Sequence, residues 1–363
     1  MSTRRENEAV SRLGLRHPII QGPFGGGLST ARLAATVSTA GGLGSYGAHN
    51  MAPDEIGRTV NEIRSLTDRP FAMNLWVSDH DPGGLELSPS EFERVYRIFE
   101  PYFRELGVEK PEPPQHFHHR FEDQVEALLE ANPPVFSFVF GVPSAAILAE
   151  CKRRGIVTIG ASTSIAEARM LDEAGVDLIV ATGFEAGGHR PSFLARAEDS
   201  LMGTFVLTQL VADRVKAPVI SAGGIADGRG VLAALALGAQ AAQIGTAFLA
   251  CEESGTTADH RRMLFSEASQ HTVLTRTFTG RLARGVHNRW TEEITPRVAD
   301  LPPFPVQSWF LSRLRPAAVK AGRTDLVSLW GGQISPNLRH RTASELMDAL
   351  VAAIEPHTTD HPR

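Results

Sequence analysis

Residues 156–189 read IVTIGASTSIAEARMLDEAGVDLIVATGFEAGGH. Two short, almost continuously apolar runs, IVTIGA at 156 and VDLIVAT at 176, flank SIAEARMLDEAG, which has the spacing of a helix closed by a glycine. Strand, helix and strand in this order make a parallel unit, and strands without polar alternation belong to a sheet covered on both faces. The second strand runs directly into a glycine-rich turn that carries Glu185 and His189.

The same alternation extends in both directions. PIIQG at 18, GGLGSYG at 41, FAMNLWV at 71, VFSFVF at 135, APVISAGG at 217 and AAQIGT at 241 read as six more strands, with helical stretches between them. Eight strand and helix units predict a (β/α)8 TIM barrel over residues 1–250. A helical insertion is expected after the third strand, at about 82–133, where SPSEFERVYRIFEPYFREL and HRFEDQVEALLEA flank a proline-rich KPEPPQ. From about 252 the strand signals stop, so residues 251–363 are expected to form a helical lid returning over the barrel, with TASELMDALVAAI at 342 as its last helix. A doubly wound dinucleotide fold is the competing reading. It rests on GPFGGGLST at 22, whose spacing is not G-x-G-x-x-G, and the second strand ends in GAHN without an acid to hold a ribose.

Composition narrows the function. A chain of 363 residues, 42% hydrophobic, buries a large core, and a net charge of -5 with interspersed signs leaves no basic stripe for nucleic acid. Cys151 and Cys251 are too few for a disulfide framework or a structural zinc site, and MSTRRENEAV lacks an apolar signal segment, so a cytoplasmic protein is expected. The apolar stretch 231–251 is interrupted by Gly238, Gln240, Gln243 and Gly245, which suits a helix, a turn and a strand better than a membrane span. HFHH at 116–119, beside Glu122 and Asp123, has no established metal-site spacing, and no metal is expected.

In such a barrel the loops after the strands build the active face. Gly22 to Gly27, His49, Asn74, Gly141, Ser162, Glu185 to His189, Ala222 to Gly224, and Gly245 with Thr246 therefore converge on one rim. The consecutive loops SAGGI at 221 and QIGTA at 243 suit a phosphate, because glycines such as Gly223 and Gly224 let backbone N–H groups approach an anion. Gln243 and Asn74 place amides in apolar strands, where each needs a partner, and a flat heterocycle on the rim would supply one.

PIIQGPFGGG, the Asn of FAMNLWV, the stretch 160–190, PVISAGGIADGRGVLAALALGAQAAQIGTAF, FTGRLARGVHNRW and LWGGQ together resemble the nitronate monooxygenases, FMN-dependent barrels formerly called 2-nitropropane dioxygenases. The resemblance runs in order over most of residues 15–335. It implies oxidation of alkyl nitronates, or nitroalkanes, by O2 to a carbonyl compound and nitrite. It further implies that Pro23 and Phe24 lie beside the flavin ring, that Asn74, Gly187, Gly224 and Gln243 contact FMN, and that Gly245 and Thr246 sit at its phosphate. Thr279, Gly280 and Arg281 would close over the cofactor, and His189 would act on the substrate from beyond Gly187 and Gly188. Three positions depart from the family's habit: Phe24 replaces methionine, Thr182 replaces a glutamine that contacts flavin, and Val139 replaces a histidine.

His189 has two available roles, a neutral base toward a nitroalkane or a protonated anchor for a nitronate, and the anchor is the favoured expectation. A histidine merely satisfied by Glu185 is the bland alternative. Two other functions stay open. One is an NAD(P)H-dependent flavin reductase acting on enoyl thioesters or quinones, and the other is a flavin- or phosphate-binding sensor without catalysis.

Overall fold

Each of the eight apolar runs becomes a strand in the computed structural model, which describes residues 7–359. In chain order the strands are β1 (Ile19–Gln21), β2 (Gly44–Gly47), β3 (Phe71–Trp76), β4 (Val135–Val139), β5 (Val157–Ser162), β6 (Leu178–Thr182), β7 (Gly188–His189), β8 (Val219–Ala222), β9 (Ala241–Ile244), β10 (Thr272–Thr275) and β11 (Ala283–Val286). Eight of them pair in parallel in the order β1-β9-β8-β6-β5-β4-β3-β2. The ring closes through a parallel bridge between Ile20 and Leu43, where the Leu43 N–H donates to Ile19 O at 2.9 Å and the Gln21 N–H donates to Leu43 O at 2.9 Å. The chain is a (β/α)8 barrel.

Helices start where the sequence supplies caps. Thr30, Ser144, Ser164 and Asp227 each accept a backbone N–H three residues on, and so hold the helices that cross between neighbouring strands. Inward-facing Ile20, Ala72, Val135, Ile159, Leu178, Val180 and Ile220 fill the barrel's interior. Ala9 and Leu13 of the helix Glu8–Leu13 join the same cluster and close its floor. The opposite, C-terminal end is therefore the end left for a ligand.

Three features differ from the expectation. Of the two helices between β3 and β4, Phe121–Ala131 packs on the barrel helix Pro53–Leu66 and on β3, which makes it the crossover helix of its own unit. Only Pro89–Glu105 stands off the barrel, where Phe92 and Phe99 meet Phe310 of the helix Val306–Lys320 and Phe99 stacks on Trp290. The last helix, Ala343–Thr359, packs on Gly228–Ala236 and Ala31–Thr39, so it completes the barrel wall rather than the lid. Finally, the segment after 251 contains strands: β10 and β11 form an antiparallel pair, and β11 pairs in turn with β7. These strands are short and carry Thr and Arg, which hides them from a search for apolar runs. The stretch 231–251 divides into the end of a helix, β9 and the short helix Thr246–Leu249, and among the described residues no helix is long and apolar enough to cross a membrane.

Candidate active site

The loops after β1, β3, β4, β6, β8 and β9 surround a cavity of about 490 Å³, which the lid segments cover from above. That volume lies within the range of ligand and cofactor pockets. Pro23, Phe24, Asn74, Thr182, Gly187, Gly188, His189, Gly223, Gly224, Gln243, Gly245, Thr246 and Thr279 all line it, as does Val139. Residues far apart in sequence thus meet because every barrel strand points the same way.

Gly280 and Arg281 do not line the cavity. Gly280 takes φ +89, and a Cβ there would lie 2.6 Å from the Phe304 backbone N. Arg281 is buried behind an aromatic wall, with its guanidinium 4.2 Å from the Phe140 ring centre and 4.4 Å from that of Phe304. Its Nε donates to Asp81 Oδ1 at 2.9 Å and its Nη atoms donate to Ser78 O and Oγ. Arg281 thus clamps β11's approach to the segment after β3, behind the wall of the cavity it was expected to close.

At the glycine loops, Gly223 (φ +108) and Gly224 (φ +69) occupy the left-handed region that favours glycine. Gly187 also meets the lid. A Cβ on it would stand 2.6 Å from Gly332 N and 2.7 Å from Gly331 C, so its missing side chain admits the lid backbone. Gly332 N–H donates to Thr246 Oγ1 at 3.0 Å, and Gln333 N–H donates to Glu185 O at 3.0 Å. Asn74 Nδ2 donates to Ser137 Oγ at 3.0 Å, whereas the Gln243 amide has no protein hydrogen-bond partner among the described residues.

His189 is fixed from the lid. Its backbone pairs with Ala283 of β11, and its Nε2 lies 2.8 Å from Thr279 Oγ1. With Nε2–H donating to the Thr279 hydroxyl, Nδ1 would be the basic nitrogen. Glu185 is not its partner, because that carboxylate accepts from the Thr204 N–H and hydroxyl. Burial, followed by the Arg281 charge, lowers the imidazole pKa to about 3. That shift favours a neutral imidazole at neutral pH over the protonated anchor that the sequence reading preferred.

Sequence reasoning missed the aromatic wall. Trp76, Phe140, Phe278, Phe304 and Trp330 all line the cavity, and Trp76 touches His189 at 4.8 Å between ring centres. Trp76 was within reach, since it lies two residues beyond Asn74 in one strand and so faces the same side. Phe140 follows directly on β4, while Phe278, Phe304 and Trp330 come from the lid, whose approach no local pattern reveals.

A family model described as Nitronate monooxygenase matches residues 7–353. A probable nitronate monooxygenase of Staphylococcus haemolyticus is 35% identical over 352 residues, covering 96% of this chain and 97% of its own. One from Staphylococcus aureus is 37% identical over 334 residues, covering 92% of each chain. Among solved structures, a nitroalkane oxidase from Streptomyces ansochromogenes superposes with a TM-score of 0.88 at 34% identity, covering 97% of this chain and 99% of that one. FabK from Thermotoga maritima gives 0.75 at 29% identity, covering 98% and 97%. The protein is an enzyme, an oxidoreductase that belongs to the nitronate monooxygenase family.

Proposed function

We propose that this enzyme binds FMN and oxidises alkyl nitronates with O2 to a carbonyl compound and nitrite, and that it also accepts neutral nitroalkanes. The observation that carries this reading is His189: a neutral imidazole, held at Nε2 by Thr279 and free at Nδ1, on the wall of a cavity that the glycine loops after β8 and β9 also line. When bound, FMN supplies the electron acceptor.

The residues present suit that group. Gly223, Gly224, Gly245 and Thr246 would hold its phosphate, since two positive-φ glycines keep side chains away from the backbone N–H groups. Gln243, without a protein partner, and Asn74 would meet the polar edge of the ring, while Pro23 and Phe24 would pack beside it. Thr182 lines the same wall and is too short to replace a glutamine directly. For a nitroalkane, His189 takes the α-proton at Nδ1, and the Trp76, Phe140 and Phe304 rings exclude water from the exchange. For a nitronate the proton is already gone, and the same imidazole only positions.

The test combines cofactor and turnover. Flavin released by heat is identified by mass, and O2 uptake is followed with a preformed nitronate. FMN and O2 consumption with nitrite formation support the reading. Recovery of FAD, or rapid anaerobic bleaching by NADPH without nitronate oxidation, would replace it with the reductase reading that the likeness to FabK keeps in view.

A further inference from the structure

His49 follows β2 and lines the cavity with only 7% of its surface exposed. Its ring stacks on Trp76 with centres 3.9 Å apart and planes 11° from parallel. The edge bearing its nitrogens occupies the space of the side chain that Gly25 lacks: a Cβ there would lie 1.8 Å from Cε1, 2.7 Å from Nδ1 and 2.8 Å from Nε2. Among the described residues neither nitrogen has a hydrogen-bond partner, and Nδ1 is wholly buried. His118, with its ring centre 6.3 Å away, likewise carries a buried Nε2 without a partner. One orphaned imidazole nitrogen in an interior needs a reason, and two on neighbouring rings need a common one.

The position supplies that reason. His49, Trp76 and Phe140 follow β2, β3 and β4, on the side of the ring away from the glycine loops after β8 and β9. That is the end of the cavity shared with His189, which contacts the same Trp76. At this end β4 contributes the apolar Val139, so a polar contact to substrate must come from another strand.

We propose that His49 is a second substrate-contacting imidazole, donating Nε2–H to an oxyanion oxygen of nitronate or nitrite, and that His118 is a positioning residue setting its tautomer through one bridging water at Nδ1. This rests on the function proposed above. Both rings are neutral near pH 7, because burial holds His49 well below its ordinary range and His118 at about 4. A neutral ring has one donor and one acceptor nitrogen, so water donating to Nδ1 places the proton on Nε2, toward the cavity. Gly25 and the Trp76 stack fix the ring in that orientation.

The test is a titration of flavin-loaded, 15N-histidine-labelled protein with sodium nitrite, read by NMR and by nitrite affinity. Saturation should move the His49 Nε2 resonance. His49→Phe, which keeps a ring on Trp76, should weaken nitrite about tenfold, the size of a lost hydrogen bond to a charged group. His118→Phe should weaken it less and move the His49 Nδ1 resonance. Nitrite affinity within twofold of wild type in His49→Phe, or His49 resonances unmoved at saturation, overturns the proposal. If His49→Phe fails to fold, the titration of the unsubstituted protein decides alone. A protein that binds nitrite at His49 yet oxidises no nitronate leaves this inference standing and removes the functional reading instead.

Discussion

At His189 a single side chain is asked to be basic inside a closed, partly apolar cavity. Thr279 Oγ1 lies within hydrogen-bond distance of Nε2, and burial first, then the Arg281 charge, disfavours a second proton on the ring. Its pKa is lowered to about 3, so the neutral form is expected to dominate near neutral pH. Replacing His189 with Asn should cut kcat/KM for a neutral nitroalkane by on the order of 10² to 10⁴, the usual worth of a positioned base, while sparing preformed nitronates. Wild-type kcat/KM for nitroalkanes should also stay level as pH falls from 8 to 6, corrected for substrate ionisation. An unshifted histidine would lose half its basic form near 6.5 over that interval. A profile that bends near 6.5 in wild type and not in the Asn variant would restore the cationic anchor.

The lid acts through elements whose sequence gives little warning of them. β11 adds a strand to the two residues of β7 and so sets the backbone of His189, while Gly331 and Gly332 lie against Gly187. Gly187→Ala should push that backbone away, because no flexible side chain stands at the clash and the lid must shift. The barrel has no such contact and should keep its stability. Flavin affinity should fall at least severalfold, and limited proteolysis should open the chain near residues 329–334. Full flavin occupancy with unchanged proteolysis would show the lid to be looser than this packing implies. The same contrast explains what the sequence could reveal. Most of the eight barrel strands were legible because they are largely apolar on both faces, and the rim residues followed from where those strands end. β10 and β11 were not, since TVLT and ARGV carry their polar groups into lid contacts such as Arg284 Nε donating to Phe184 O. Arg281 was placed on the cofactor by resemblance, and only the fold shows Asp81 and Ser78 claiming it.

Across the whole molecule, the barrel and the lid have separate apolar clusters, and the lid's is built on Trp290, Phe310 and Phe99. Four histidines at or near the junction, His49, His118, His189 and His260, all have lowered pKa values for which burial is the leading cause. His260 is 4% exposed, its Nε2–H donates to Trp330 O at 2.9 Å, and its pKa is lowered to about 4. Above pH 6.5 neither the folded nor the unfolded chain protonates this ring, so it contributes no pH dependence. As pH falls below 6.5 the unfolded chain takes up a proton that the folded one refuses, and stability drops until pH nears 4. Between pH 7 and 5 this amounts to about 2 kcal/mol for one such histidine, at roughly 1.4 kcal/mol per pH unit. His260→Gln keeps an N–H donor for Trp330 O and cannot titrate. Its denaturant-measured stability should therefore fall by about 2 kcal/mol less than wild type's over the same interval. Carboxylate effects cancel in that difference, since both proteins share them. Equal losses in the two proteins would mean that His260 is protonated in the folded state, and that the lid is not closed over it at neutral pH.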